Sequence, residues 1–176
     1  MKKFKLLLLD ANVVIVLFKF GIWEKLIEIC DIYLARTVAE QEAHFYLDDD
    51  GQRQDFQVMP YAGAGKISVF DLTPSELDVF RAQFDPVYFE KLDPGETESL
   101  AYLLRQGDDC RICSADKIVY RILGNIRRGD AGVSLEEILQ QTGLGRKLDR
   151  QFTRSFREQA TKQGFAEGMG GLGLKK

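Results

Sequence analysis

The chain has 176 residues, 45% hydrophobic and 29% charged, a globular balance that excludes disorder, collagen and coiled coil over most of its length. Lys and Arg number 24 against 27 Asp and Glu, a net charge of −3, so the overall field does not draw the protein to nucleic acid and any such binding needs a local basic patch. Three cysteines are too few, and odd in number, for a secreted disulfide framework, and a cytoplasmic location is expected.

The start of the chain imitates a signal peptide. Lys2, Lys3 and Lys5 precede an apolar stretch from Leu6 to Phe20, but Asp10 and Asn12 sit inside it. A carboxylate in mid-span is costly in a membrane, and no small-residue cleavage site follows. No membrane partner is expected.

Phe4 to Leu9 is a short apolar run that stops at Asp10, the pattern of a parallel strand buried on both faces. Helices are expected over Asn12–Phe18 and Ile22–Cys30, broken at Gly21, and a second strand over Ile32–Ala35. Thr37 is expected to cap a helix running to about Leu47. Residues 48–66, with Asp50-Gly51, Gly63 and Gly65, read as a surface hairpin or loop insertion. Ile67–Leu72 is a third strand, and Thr73-Pro74-Ser75-Glu76 starts a helix. Asp93-Pro94-Gly95-Glu96 starts another that runs to about Gln106, followed by a strand at Arg111–Cys113 and a helix over Ala115–Ile126. Ser134 and Glu137 form a capping box opening a helix to Gln141. A last helix is expected over Lys147–Lys162, and the glycine-rich tail from Gly164 is expected to be mobile.

Strand–helix alternation through residue 126 predicts a three-layer α/β/α fold with a central, mainly parallel sheet. Residues 1–130 form the main domain, residues 131–163 a C-terminal helical extension, and 164–176 a flexible tail. Ligands of such sheets bind beyond the carboxyl ends of the strands. Asp10 ends the first strand and Asp116 follows the fourth. Glu40 lies early in the helix after the second strand, and Glu96 and Glu98 in the first turn of the helix after Pro94. Acids from four places can converge there. Without a neighbouring cation such a cluster calls for a divalent ion, and hard cations prefer oxygen ligands.

These residues resemble the PIN-domain family. Leu-Leu-Leu-Asp10-Ala-Asn12 is similar to its opening motif, Thr37-Val-Ala-Glu40 to its second, Gly95-Glu96-Thr-Glu98-Ser-Leu-Ala101 to its third, and Ser114-Ala-Asp116 to its fourth. The resemblance covers about residues 4 to 126. It implies a metal-dependent ribonuclease that takes RNA as substrate. Asp10, Glu40, Glu98 and Asp116 would hold Mg²⁺ or Mn²⁺, with Glu96 as the rival of Glu98 and Glu42 of Glu40. Asn12 would orient Asp10, and Ser114 would orient Asp116. It further implies a possible homodimer and a possible antitoxin partner, although the 48–66 insertion and the C-terminal extension depart from the small toxin members.

Other features point elsewhere. Lys147, Arg150, Arg154 and Arg157 recur at helical spacing, a basic stripe able to contact RNA phosphates. Residues 134–157 have the outline of a helix-turn-helix, which leaves a DNA-binding regulator as an alternative. A PIN-like module that docks RNA or a partner protein without catalysis is another. Cys110 and Cys113 lack two further ligands for a zinc site, and His44 shares a helix face with Glu40.

Overall fold

The computed structural model describes residues 2–175. The chain enters the fold on β1 (Leu6–Leu9), followed by α1 (Ala11–Lys19), α2 (Trp23–Ile29) and β2 (Ile32–Ala35). One π-helical turn (Val38–Glu42) leads into β3 (Phe45–Leu47), β4 (Arg53–Asp55) and the short helix α3 (Met59–Gly63). Then come β5 (Ser68–Phe70), α4 (Pro74–Arg81), α5 (Pro86–Phe89), α6 (Pro94–Arg105), β6 (Cys110–Cys113) and α7 (Lys117–Asn125). The chain closes with α8 (Leu135–Thr142) and α9 (Arg154–Met169), with 3-10 turns at Gly129–Ala131 and Arg150–Phe152.

The main sheet is all parallel, in the order β5-β2-β1-β6. Its central strand is four leucines, three of them fully buried. Side chains alternate along a strand, so Leu7 and Leu9 enter one core and Leu8 the other. The first core takes in α1, α2, the π turn and α8; the second takes in α4, α5, α6 and α7. Each fully buried leucine contributes about 1.5–3 kcal/mol, which explains why no polar residue interrupts β1. None of the helices among the described residues is long and apolar enough to cross a membrane.

Several sequence expectations are corrected. Thr37 does not cap a helix to Leu47: it is itself helical, and the π turn ends at Glu42. Phe45–Leu47 instead pairs antiparallel with Arg53–Asp55. The 48–66 segment supplies the turn and second strand of this hairpin, whose first strand precedes it, and its second half is not a surface loop. Val58 is buried, and Phe56 stacks on Phe18 with ring centroids 3.9 Å apart. Four residues from Pro86 add the helix α5, which was not expected.

The C-terminal extension shares the main cores rather than forming an appendage. Leu135, Ile138, Leu139 and Phe152 join the first core, and Gly132 bridges to Ile112 beside β6. The last helix starts at Arg154, not Lys147, because Thr153 supplies the cap to Phe156 N–H. It runs through Gly164, where the mobile tail was expected, to Met169. Glycine is needed there: a Cβ on Gly164 would lie 1.8 Å from the Arg121 carbonyl oxygen, and one on Gly124 2.1 Å from that of Thr161. The glycines let α7 and α9 approach backbone to backbone. Beyond α9 the chain is tied down, Gly173 O accepting from Asp85 N–H at 2.8 Å and Lys175 N–H donating to Gln83 O at 3.0 Å.

Candidate acidic site at the sheet switch point

β1 connects outward to β2 on one side, while β6 is added on its other side. The crevice between the carboxyl ends of β1 and β6 is therefore the topological switch point, where ligands of open parallel sheets bind. Asp10 follows β1 immediately, and Ser114 and Asp116 follow β6.

Asp10 is 3% exposed and caps α1, its Oδ1 accepting from Val13 N–H at 2.8 Å. Its Oδ2 accepts from Ser114 Oγ at 2.6 Å and Ala115 N–H at 2.9 Å. Ser114, also buried, accepts at Oγ from Asp116 N–H at 2.9 Å and lies 3.3 Å from Glu96 Oε1. Glu96 is 4% exposed, and its Oε2 accepts from Asp93 N–H at 3.2 Å. Asp116 caps α7, its Oδ1 accepting from Ile118 N–H at 3.1 Å. Ser114 thus ties together Asp10, Glu96 and the start of the Asp116 turn.

Glu42 completes the group from the π turn. Its Oε1 accepts from Gly95 N–H at 3.2 Å. A Cβ on Gly95 would sit 2.5 Å from both Glu42 Oε2 and Val38 Cγ2, so a larger residue there would displace the Glu42 carboxylate from its place. Glu98 accepts from Thr37 Oγ1 at 2.5 Å and lies near Glu42.

Electrostatics follow from burial and like charge. Burial, and then Asp10 and Asp116, push Glu96 up to about 8. Burial also raises Asp10 against its hydrogen bonds, with Asp116 adding to the rise. Glu42 is raised by burial, then by Asp93, Glu98 and Asp10. Among the described residues, no Lys or Arg forms an ion pair with Asp10, Glu42, Glu96, Glu98 or Asp116. A glutamic acid near pKa 8 is largely protonated at neutral pH and can donate to Ser114 Oγ while the serine donates to Asp10.

The donor set suits a hard divalent cation: it is all oxygen, anionic and partly dehydrated. Among the described residues no three acids stand in coordination geometry about a common point. Asp10 is turned onto Val13, Ser114 and Ala115, and Asp116 onto Ile118.

The sequence-derived site is partly redrawn. Asp10, Asp116 and Ser114 come together, but Ser114 donates to Asp10 rather than orienting the Asp116 carboxylate, which accepts from Ile118 N–H instead. Glu96, the expected rival, stands beside them, and Glu98 lies further out against Thr37. Glu40 does not reach the group: it is half-exposed and paired with Arg36 at 2.8 Å, which also holds Asp71 at 2.7 Å. Positions two apart on a helical turn face nearly opposite ways, so the turn sends Glu42 inward and Glu40 outward. Asn12 is exposed and makes no side-chain hydrogen bond to Asp10; Ser114 and two backbone N–H groups hold that carboxylate instead. His44 stacks edge-on against Phe45 and lines a cleft of about 720 Å³ with Arg53 and Phe56.

The basic stripe is not a helix face. Lys147 lies in an extended loop and Arg150 in a 3-10 turn. Arg154 pairs with Glu158 at 2.7 Å, and Arg157 is spent on a two-pronged contact with Glu137, at 2.8 Å for each prong. The helix-turn-helix spacing, which needs a turn of about three or four residues, is also absent, since α8 ends at Thr142 on a left-handed Gly143 and α9 begins only at Arg154.

Sequence reasoning missed Tyr120. Its hydroxyl lies 3.0 Å from Ser114 N, 2.9 Å from Ser114 O and 3.0 Å from Val133 O. The available signal was a tyrosine on the apolar side of α7, since a buried tyrosine must find a partner for its hydroxyl. Fold and site together define an α/β protein with a parallel sheet and an acidic switch-point crevice. Compared with known proteins, the chain matches no family model, no curated protein and no solved structure.

Proposed function

We propose that this protein is a divalent-metal-dependent ribonuclease with a PIN-like fold, hydrolysing phosphodiester bonds at the switch-point crevice. One observation carries the reading: Asp10, Glu96 and Asp116 gather around Ser114 beyond β1 and β6, with no cation among the described residues paired to them. Stability alone gives no reason to bury carboxylates beside one another unpaired. The order of motifs along the chain supports the same reading.

Asp10, Glu96, Asp116 and Glu42 would hold Mg²⁺ or Mn²⁺, and Glu98 is close enough to Glu42 to join them. Such an ion activates water and neutralises charge on the phosphate. The protein's own contribution is positional. Ser114 fixes Asp10 by donating to its Oδ2, and the Val13 N–H fixes the other oxygen. Oδ1 accepts one hydrogen bond and keeps a lone pair free. With an ion bound, Glu96 would lose its proton to solvent and offer a second carboxylate beside it. RNA is the proposed substrate, and an antitoxin and a second copy of the chain are the partners the motif resemblance implies.

The test is cleavage of end-labelled single-stranded RNA with Mn²⁺ by wild type and Glu96→Gln. Wild type should cleave, chelator should stop it, and Glu96→Gln should lose about 100-fold or more, the scale of a lost electrostatic group in catalysis. Equal cleavage by both, or none by wild type over a range of RNAs, contradicts the reading and leaves a binding module as the better account.

A further inference from the structure

We propose that Tyr120 is the positioning residue of the acidic site, its hydroxyl holding Ser114 so that the serine presents Oγ to Asp10. This rests on the ribonuclease reading and assigns the C-terminal segment a part in it.

Tyr120 is 1% exposed and lies in α7, one helical turn beyond Asp116. Its hydroxyl accepts from Ser114 N–H and faces the Ser114 and Val133 carbonyls, to one of which its single hydrogen is donated. A buried tyrosine needs one partner. This one accepts from the Ser114 N–H and shares its single hydrogen between two carbonyls, that of Ser114 itself and that of Val133 in the C-terminal segment. Ser114 is the residue whose Oγ donates to Asp10 Oδ2 at 2.6 Å, accepts from Asp116 N–H and borders Glu96. No other side chain bonds the Ser114 backbone among the described residues, so the aim of Oγ depends on Tyr120.

The segment after α7 is shaped to hold the ring. A Cβ on Gly132 would lie 3.1 Å from Tyr120 Cδ1, so residues around Gly132 lie directly on the tyrosine. Val133 N–H donates to Ile112 O at 2.9 Å, anchoring this segment to β6 two residues before Ser114. A chain of contacts therefore runs from the C-terminal extension through Tyr120 to Ser114 and on to Asp10. Removing the hydroxyl leaves the Ser114 N–H buried without a partner, a cost the β6–α7 loop relieves by moving.

The experiment compares wild type, Tyr120→Phe and Ile122→Val, the last a core change on the same helix that leaves the ring contacts alone. Hydrogen exchange of the Ser114 and Ala115 amides is read in metal-free protein, and Mn²⁺ affinity, kcat and KM well below the melting temperature. Tyr120→Phe should speed exchange of both amides about 10-fold, weaken Mn²⁺ about 10-fold and lower kcat similarly, the usual scale for a group that orients a metal ligand. KM for RNA should stay within about twofold, since substrate contacts are untouched. Ile122→Val should change only the melting temperature. Unchanged exchange, or a Mn²⁺ affinity in Tyr120→Phe equal to that of Ile122→Val, overturns the assignment. Absence of Mn²⁺ uptake by wild type overturns the ribonuclease reading instead, and the exchange comparison then decides alone whether Tyr120 holds Ser114.

Discussion

The first turns of α6 and α8 are written in the same sequence grammar, a cap residue followed three positions later by glutamate. In each, the glutamate returns to the cap N–H, Glu96 to Asp93 at 3.2 Å and Glu137 to Ser134 at 2.8 Å. Both glutamates are largely withdrawn from solvent. Burial pushes both up, yet Arg157 and Ser134 outweigh it at Glu137 and hold that carboxylate below its ordinary range. Glu96 has the acids Asp10, Asp116 and Asp93 around it, and burial first, then these charges, push it up to about 8. Local structure is identical in kind, and the tertiary neighbour decides the chemistry. Glu137 fastens α9 to α8, whereas Glu96 is left among other acids.

The largest expected effect comes from that contrast. The folded Glu96 near 8 lies above its unfolded value of 4.5, so the folded chain holds an extra proton between the two. The stability this lends is complete below about 4.5 and lost as pH rises through about 8. In chelator, unfolding free energy from urea titration should fall by about 4 kcal/mol between pH 5 and 8.5, and Glu96→Gln should remove most of the slope. A wild-type profile flat over this window would erase the difference between the two helices. Glu137 works in the opposite sense, its share being lost only on acidification below its unfolded value.

Next in size is Glu137→Gln. It strands Arg157, whose side chain is 13% exposed, and should cost about 2–3 kcal/mol by urea unfolding, somewhat under the full cost of breaking a buried pair. Mn²⁺ uptake should be unaffected, because this pair lies outside the acidic group.

A smaller contrast separates the two acids of the π turn. Glu42→Gln should weaken Mn²⁺ about 10-fold, the scale of a lost or misplaced ligand. Glu40→Gln, whose carboxylate is occupied by Arg36, should change affinity less than twofold. Calorimetric titration of both variants decides which glutamate belongs to the site, and a reversed order would restore the sequence-based choice.

Much of this architecture can be read from the residues. The apolar run ending at Asp10, the caps at Thr73 and Ser134, and the Pro94 helix start are local signals, and the structure forms each. The crevice follows from strand order, so Asp10, Ser114 and Asp116 could be placed at strand ends in advance. What escaped depended on tertiary detail. The choice of Glu42 over Glu40 is set by a π turn and by a glycine that admits its neighbour, neither of which leaves a periodic trace. The basic stripe assumed a helix from Lys147, and Thr153 delays that helix by two turns. The mobile tail was inferred from glycines of which two, Gly164 and Gly168, serve close packing of α9 on α7.

The most direct test of a metal-binding acidic site is calorimetric titration of Mn²⁺ into chelator-stripped wild type and into the double variant Glu96→Gln, Asp116→Asn. Both substitutions keep shape and remove charge, and they spare Asp10, whose oxygens also cap α1 and hold Ala115. Saturable binding to wild type, with proton release near neutral pH and none to the double variant, is the expected result. Equal binding to both, or to neither, would mean that these acids are helix caps and buried acids without an ion.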